Sequence, residues 1–229
     1  MALHDAFKLI RRLKKPTSWH NLRSIQPVSA IFGLERGTPI DRYYIEQFLA
    51  KNSHLIKGTV LEIADSTYSK KFGHEISKYE VLHYNHDNPN ATIVADLSKP
   101  ATLPENRTEC FICTQTFQFI YDFKEAIKGA YRILKKDGVL LATVAGITQI
   151  SRYDMDRWGD YWRFTKLSAL KSFGEVFGER NIQVESFGNV LSSISFLEGI
   201  TVEELSKGEL DHHDDNYQML IGVVAKKIN

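Results

Sequence analysis

Two cysteines in a chain of 229 residues are too few for a disulfide framework and are compatible with a reducing compartment. They stand three apart, as Cys110 and Cys113, inside the apolar run CFICT, where such positions point to opposite faces of a strand, so the pair is not read as a disulfide or a metal site. Long apolar runs are also missing. No stretch approaches the roughly 20 residues of a membrane span, and Met1–Pro16 lacks the uninterrupted apolar core of a secretory signal. A large charge of either sign is absent too: the formal net charge is +1, which gives no global pull towards nucleic acid or membrane. Internal repeats, low-complexity tracts and interior linkers are not found. With 43% hydrophobic and 25% charged residues, the expectation is a cytoplasmic, globular chain whose acidic partners are met locally.

What is present begins with a basic segment. Leu3, Phe7, Ile10 and Leu13 recur at helical spacing among Lys8, Arg11, Arg12, Lys14 and Lys15. This reads as a terminal helix packed on its own domain, with weak contact to a membrane surface or a partner as the alternative. Pro27, Gly33, Gly37 and Pro39 break the next stretch into loop and short turns. A helix is expected over Asp41–Leu55, entered through RGTPIDRYYIEQF, where two arginines and an aspartate crowd together. Residues 1–55 are thus taken as a helical extension and 56–229 as the main domain.

The run GTVLEIADSTYSKKFG, from Gly58 to Gly73, organises the rest. Val60, Leu61 and Ile63 read as a buried parallel strand that ends abruptly in small and polar residues, and ligands bind at the carboxyl ends of such strands. Glu62 is a carboxylate inside an apolar strand, so it bonds nearby backbone amides, faces a polar ligand, or does both. A helix over Ser69–Lys78 and strands at Tyr79–His83, Thr92–Ala95 and Cys110–Cys113 follow. A helix carrying Ala126, Ala130, Ile133 and Leu134 is expected to stop at Lys135, Lys136, Asp137 and Gly138. Val139–Val144 is the fifth strand. Strands alternating with helices indicate an α/β fold with a parallel sheet covered on both faces. Gln183–Phe187 and Met219–Val224 read as a late strand pair around a helical stretch at Val202–Leu205, consistent with an antiparallel edge.

Five segments in order, VLEIADSTY, VADL, FICTQTFQFIYD, RILKKDGVLLATVAG and GDYWRFT, resemble class I S-adenosylmethionine-dependent methyltransferases, and within them the type-11 group associated with sugar and glycan modification. The resemblance implies a Rossmann-like, mostly parallel seven-stranded sheet with an antiparallel C-terminal edge strand. It also implies S-adenosyl-L-methionine as cofactor. By position, Glu62, Ala64, Asp65, Ser66 and Tyr68 would face its methionine part, Asp87 its ribose, and Asp96 and Leu97 its adenine. Thr114 and Gln115 would close the pocket near the methyl group. Where the family usually has a glycine-rich loop, this chain has Ala64, Ser66 and Tyr68. Small residues permit close approach where φ is negative, whereas Tyr68 cannot go where only glycine fits.

The segment SRYDMDRWGDYWRFT offers carboxylates among aromatic rings. Flat faces stack on sugar C–H groups while carboxylates bind hydroxyls, so Tyr153, Trp158, Tyr161, Trp162 and Arg163 are read as the acceptor wall, and Asp160 and Asp156 as candidates for removing a hydroxyl proton. His212 and His213 are assigned to a polar loop and no metal is expected, because adjacent histidines face apart. The expected activity is O-methylation of a sugar or glycan. A methyltransferase-like binding module without catalysis, or transfer to another small molecule or a protein, is the alternative.

Overall fold

A computed structural model gives the structure of the protein and describes residues 23–228. The basic segment Leu3–Leu13 lies outside these residues. Helix α1 spans Ile40–Lys51 and turns Tyr44, Ile45, Phe48 and Leu49 inward. Strands β1 (Gly58–Ile63), β2 (Ile76–His83), β3 (Ile93–Val94), β4 (Thr108–Thr114) and β5 (Leu134–Ala145) follow, with α2 (Thr67–Phe72) after β1 and α3 (Phe123–Ile133) after β4. Beyond β5 come α4 (Arg152–Met155), α5 (Lys166–Phe177), β6 (Ile182–Phe187), α6 (Val190–Glu198), α7 (Lys207–Asp211) and β7 (Leu220–Lys226).

The seven strands form one sheet in the order β3-β2-β1-β4-β5-β7-β6. All pairings from β3 to β5 are parallel, whereas β7 runs antiparallel to both β5 and β6. The antiparallel C-terminal strand therefore sits one place in from the edge that β6 occupies. The order reverses at β1/β4, because β2 and β3 extend one way from β1 and the later strands the other, and a crevice opens at the carboxyl ends there.

The apolar residues split between the two faces. On one, α3 and α5 pack Ile127, Ile133 and Phe173 on Phe111, Cys113 and Leu140. On the other, α1 and α6 pack Phe48 and Phe196 with Val60, Cys110 and Leu141. Each fully buried side chain of this size contributes about 1.5–3 kcal/mol. Cys110 and Cys113 do face opposite ways, both free, and burial pushes the Cys113 thiol up to about 12.

Three expected boundaries move. The helix placed over Ser69–Lys78 ends at Phe72, and β2 already starts at Ile76. A Cβ on Gly73 would stand 2.3 Å from Ile76 Cδ1, so the chain turns sharply there. The helix after β4 stops at Ile133 instead of running to the KKDG segment, which β5 absorbs. Asp137, at φ 63°, makes the left-handed turn within it, and its N–H bonds the Lys227 carbonyl at 2.8 Å. At Val202–Glu204 there is only a 3-10 turn, while α6, unmarked by the sequence reading, precedes it. Among the described residues no helix is long and apolar enough to cross a membrane.

Candidate active site

A cleft of about 1120 Å³ lies over the carboxyl ends of β1, β2 and β4, at the reversal of strand order. Its floor is built by the loop after β1. Glu62, 3% exposed, accepts the Tyr68 N–H at 3.0 Å and the Ser69 N–H at 2.8 Å, so its carboxylate caps α2. Burial raises the Glu62 pKa, against the lowering effect of those two amide bonds. Ala64 adopts φ 68°, the left-handed conformation that glycine would take without strain. The condition under which a small side chain permits close approach, a negative φ, is thus not met at Ala64. Ala64 is held by its N–H to the Leu82 carbonyl at 3.1 Å and by its carbonyl, which accepts the Asn88 side chain at 2.5 Å.

The loop keeps most of its amides for itself. Asp65 N–H bonds the Ile63 carbonyl at 2.8 Å and Thr67 N–H bonds Asp65 Oδ1 at 2.7 Å. Tyr68 is buried and its hydroxyl accepts Arg42 Nη1 at 3.1 Å. Arg42 and Asp41 line the same end of the cleft as Asp65, and among the described residues Arg42 has no carboxylate within ion-pair distance. Burial raises the Asp41 pKa, opposed by Arg42. Charges of both signs thus face one end of the cleft.

The far wall comes from β3 and β4. Asp96 accepts Ser98 N–H at 2.9 Å and Ser98 Oγ at 2.6 Å; burial works against its ionisation, but these bonds and Lys99 hold the carboxyl below its ordinary range. Leu97, Thr114 and Gln115 line the cleft beside it. Gln115 is a second residue at positive φ, 47°, fixed by its N–H to the Thr143 carbonyl at 2.9 Å. Its Oε1 accepts Gln118 Nε2 at 2.6 Å. Gln118 is 2% exposed, and its own Oε1 has no partner among the described residues. Two strained residues and an orphaned buried oxygen in one cleft are features that accumulate at ligand sites.

The segment after β5 supplies the remaining wall. Tyr153, Trp158, Tyr161, Asp154, Asp160 and Arg163 line the cleft. Arg163 holds Asp160 bidentately at 2.5 and 2.9 Å, and Ser151 N–H adds a bond at 3.0 Å. With both oxygens engaged, Asp160 locks Arg163 and the wall in place. Asp154 accepts Ser151 Oγ at 2.5 Å and Trp158 Nε1 at 3.0 Å, and burial raises its pKa. Arg157 lies 3.5 Å from the centre of the Tyr153 ring.

Four expected site residues stand apart. Asp156 is exposed, pairs with Arg152 at 3.2 Å and does not line the cleft, because it follows α4 on the solvent side. Trp162 turns away to donate to the Tyr121 carbonyl at 3.0 Å and packs on Phe123. Ser66 is not among the lining residues; its carbonyl accepts Lys70 N–H at 3.1 Å. Asp87 makes the DNPN turn, accepts Asn85 Nδ2 at 2.7 Å, and borders a smaller cavity of about 560 Å³ with Tyr84, Arg157 and Trp158. Among the described residues there is no group of three or more His, Cys, Asp or Glu side chains placed to hold a metal, and His213 pairs with Asp215 at 3.1 Å. Arg42 and Gln118 were not picked out from the sequence. The crowding of charge in RGTPIDRYYIEQF was the signal for the first, whereas Gln118 gave none beyond its place in FICTQTFQFIYD.

Residues 57–142 match the family model described as a methyltransferase domain. A search of curated protein sequences finds no match. Among solved structures, a SAM-dependent methyltransferase from Archaeoglobus fulgidus is similar with a TM-score of 0.52 at 13% identity, over 81% of this chain and 94% of that one. The cyclase SpnF has a TM-score of 0.53 at 12% identity, over 89% and 88%. Phosphoethanolamine N-methyltransferase 2 from Haemonchus contortus, in complex with S-adenosyl-L-methionine, has a TM-score of 0.53 at 14% identity, over 80% of this chain and 52% of that one. At these identities the likeness establishes the fold: a Rossmann-like methyltransferase sheet.

Proposed function

We propose that this chain is an S-adenosylmethionine-dependent methyltransferase that transfers a methyl group to a hydroxyl of a sugar or glycan. The methyltransferase-domain match over 57–142 and the fold support the enzyme class and the cofactor. When bound, the cofactor supplies a methyl group made electrophilic by its sulfonium. The observation that carries the reading is the pairing, across one cleft, of a mixed-charge end with an aromatic wall.

At the mixed-charge end, Arg42 suits a carboxylate, and Asp65 and Asp41 suit an ammonium, so an α-amino-acid group fits between them. These side chains take over what a glycine-rich loop would do with backbone amides. Asp96, whose Oδ2 meets Lys99 at 3.4 Å and no other described cation, suits a donor on an adenine ring. Across the cleft, Tyr153, Trp158 and Tyr161 offer faces for a sugar ring, and much of the rate acceleration comes from holding the acceptor oxygen in line. Asp154, whose raised pKa favours proton uptake, takes the role of base.

Calorimetry with S-adenosylhomocysteine tests the first half. The wild type is expected to bind, and Arg42→Ala to bind about tenfold or more weakly, the loss of one charge-assisted contact. Absence of binding at millimolar ligand would overturn the enzyme reading and leave a methyltransferase-like binding module, for which the similarity to a cyclase is a precedent of fold alone. The acceptor is tested by mass shift on a panel of sugars, amines and carboxylic acids. A methyl on nitrogen would replace the sugar assignment.

A further inference from the structure

Helix α6 is inside out. Its buried residues are Ser192, Ser193, Ser195 and Phe196, while Val190, Leu191, Ile194 and Leu197 are 45%, 39%, 38% and 40% exposed. At about 100° per residue these four fall in one arc of about 120°, a continuous apolar stripe on the solvent side. A surface helix ordinarily does the reverse. The inward face is settled, since Phe196 meets the Phe32 ring at 5.4 Å and Asn189 and Ser192 cap the helix reciprocally, so rotation about the axis is not open to it. The stripe is built to be covered.

Charge selects the cover. From Glu198 to Asp215 the sequence holds seven carboxylates and one lysine, and Asn189 ties α6 to this segment through the Glu209 and His212 carbonyls at 2.7 Å. Glu198, Glu203, Glu209 and Asp214 have no cationic partner among the described residues. An acidic rim repels an anionic lipid surface and a second copy of itself. It suits a basic amphipathic segment, and the chain has one: Leu3, Phe7, Ile10 and Leu13 at helical spacing among five cations. The chain that leads back to it leaves from the end of α6, where Ser29 N–H bonds the Glu198 carbonyl at 2.9 Å. Leu13 and Ser29 stand sixteen positions apart, a reach of about 50 Å, whereas α6 is about 14 Å long.

We propose that the stretch Leu3–Lys15 covers this face, its apolar side chains against Val190, Leu191, Ile194 and Leu197 and its cations towards the acidic rim. The covering is independent of the methyl-transfer reading and needs no ligand. Cysteine pairs test it in the full chain, since Cys110 and Cys113 are buried and stay out of exchange. Under mild oxidation Ile10→Cys with Ile194→Cys, or Phe7→Cys with Leu191→Cys as a second register, is expected to give a disulfide within one chain. A disulfide between chains, or none in either pair, overturns the proposal. Hydrogen exchange gives a second readout. Leu191→Glu/Ile194→Glu and Phe7→Glu/Ile10→Glu should each speed exchange of the α6 amides about tenfold, and their combination no further. Fully additive effects, or α6 protection that arises only with vesicles of phosphatidylcholine and phosphatidylglycerol, would refute it.

Discussion

Ala64 is where one residue's backbone decides how the cleft can work. A side chain at φ 68° costs about 1–2 kcal/mol relative to right-handed backbone, and Ala64 is exposed. Ala64→Gly is accordingly expected to raise stability by about 1 kcal/mol, less whatever the freer unfolded chain takes back. The urea midpoint measures it, with calorimetry of S-adenosylhomocysteine alongside. If the loop's shape and not the methyl group serves the ligand, affinity stays within about twofold while the midpoint rises; an unchanged or lower midpoint would mean that Ala64 is not strained. Glu62 carries the complementary lesson. Its carboxylate was legible as an anomaly in an apolar strand, and its two amide bonds resolve one of the two roles open to it. Positive φ at Ala64 and Gln115 was not legible, because in both places the enforcing contacts come from other strands, from Leu82 and Thr143.

Among the elements, α3 sets the far wall through a close approach. Gly129 sits in its middle, where glycine costs about 1 kcal/mol against alanine. A Cβ there would come 2.2 Å from the Leu97 carbonyl oxygen and 2.8 Å from Leu103 Cδ1. Gly129→Ala should thus destabilise by about 2 kcal/mol or more despite the better propensity, and should weaken S-adenosylhomocysteine binding by displacing Leu97 and Asp96 together. A variant as stable as wild type, or a destabilised one with unaltered affinity, would show that α3 does not position this wall. Strand and helix identity was readable wherever the period matched burial, as in β1, β4 and α3. It failed at α6, whose buried side is serine, and at the junction of α3 and β5, where KKDG looks like a helix stop but is drawn into the sheet beside β4. The acceptor wall was readable as a composition. Which of its members turn inward was not, since Trp162 and Asp156 stand only one and two positions along the chain from Tyr161 and Asp154.

Across the whole molecule, the cleft depends on the two-residue edge strand β3 and on β2 beside it, which are held by ions at Glu80. Glu80, fully buried, receives Arg107 at 2.7 Å, Thr92 Oγ1 at 2.5 Å and Lys78, and so ties β2 to the start of β3 and the approach to β4. Burial alone would raise the Glu80 pKa, but the bonds from Lys78, Thr92 and Arg107 hold it below the usual glutamate value. A depressed folded pKa contributes stability that is present above the unfolded value of 4.5 and is lost as pH falls through the folded one. Glu62, Asp41 and Asp154, raised by burial, work in the opposite sense and gain as pH falls. Glu80→Gln isolates the first contribution. It should lower stability near pH 7 by about 1.5–3 kcal/mol, the range for hydrogen bonds to a charged group, and the difference from wild type should shrink as pH is lowered from 4.5. Urea unfolding from pH 3 to 7 reads both. A gap that stays constant across that range would mean that ionisation of Glu80 does not stabilise the fold, and that the β2–β3 edge presenting His83 and Asp96 to the cleft is held by packing instead.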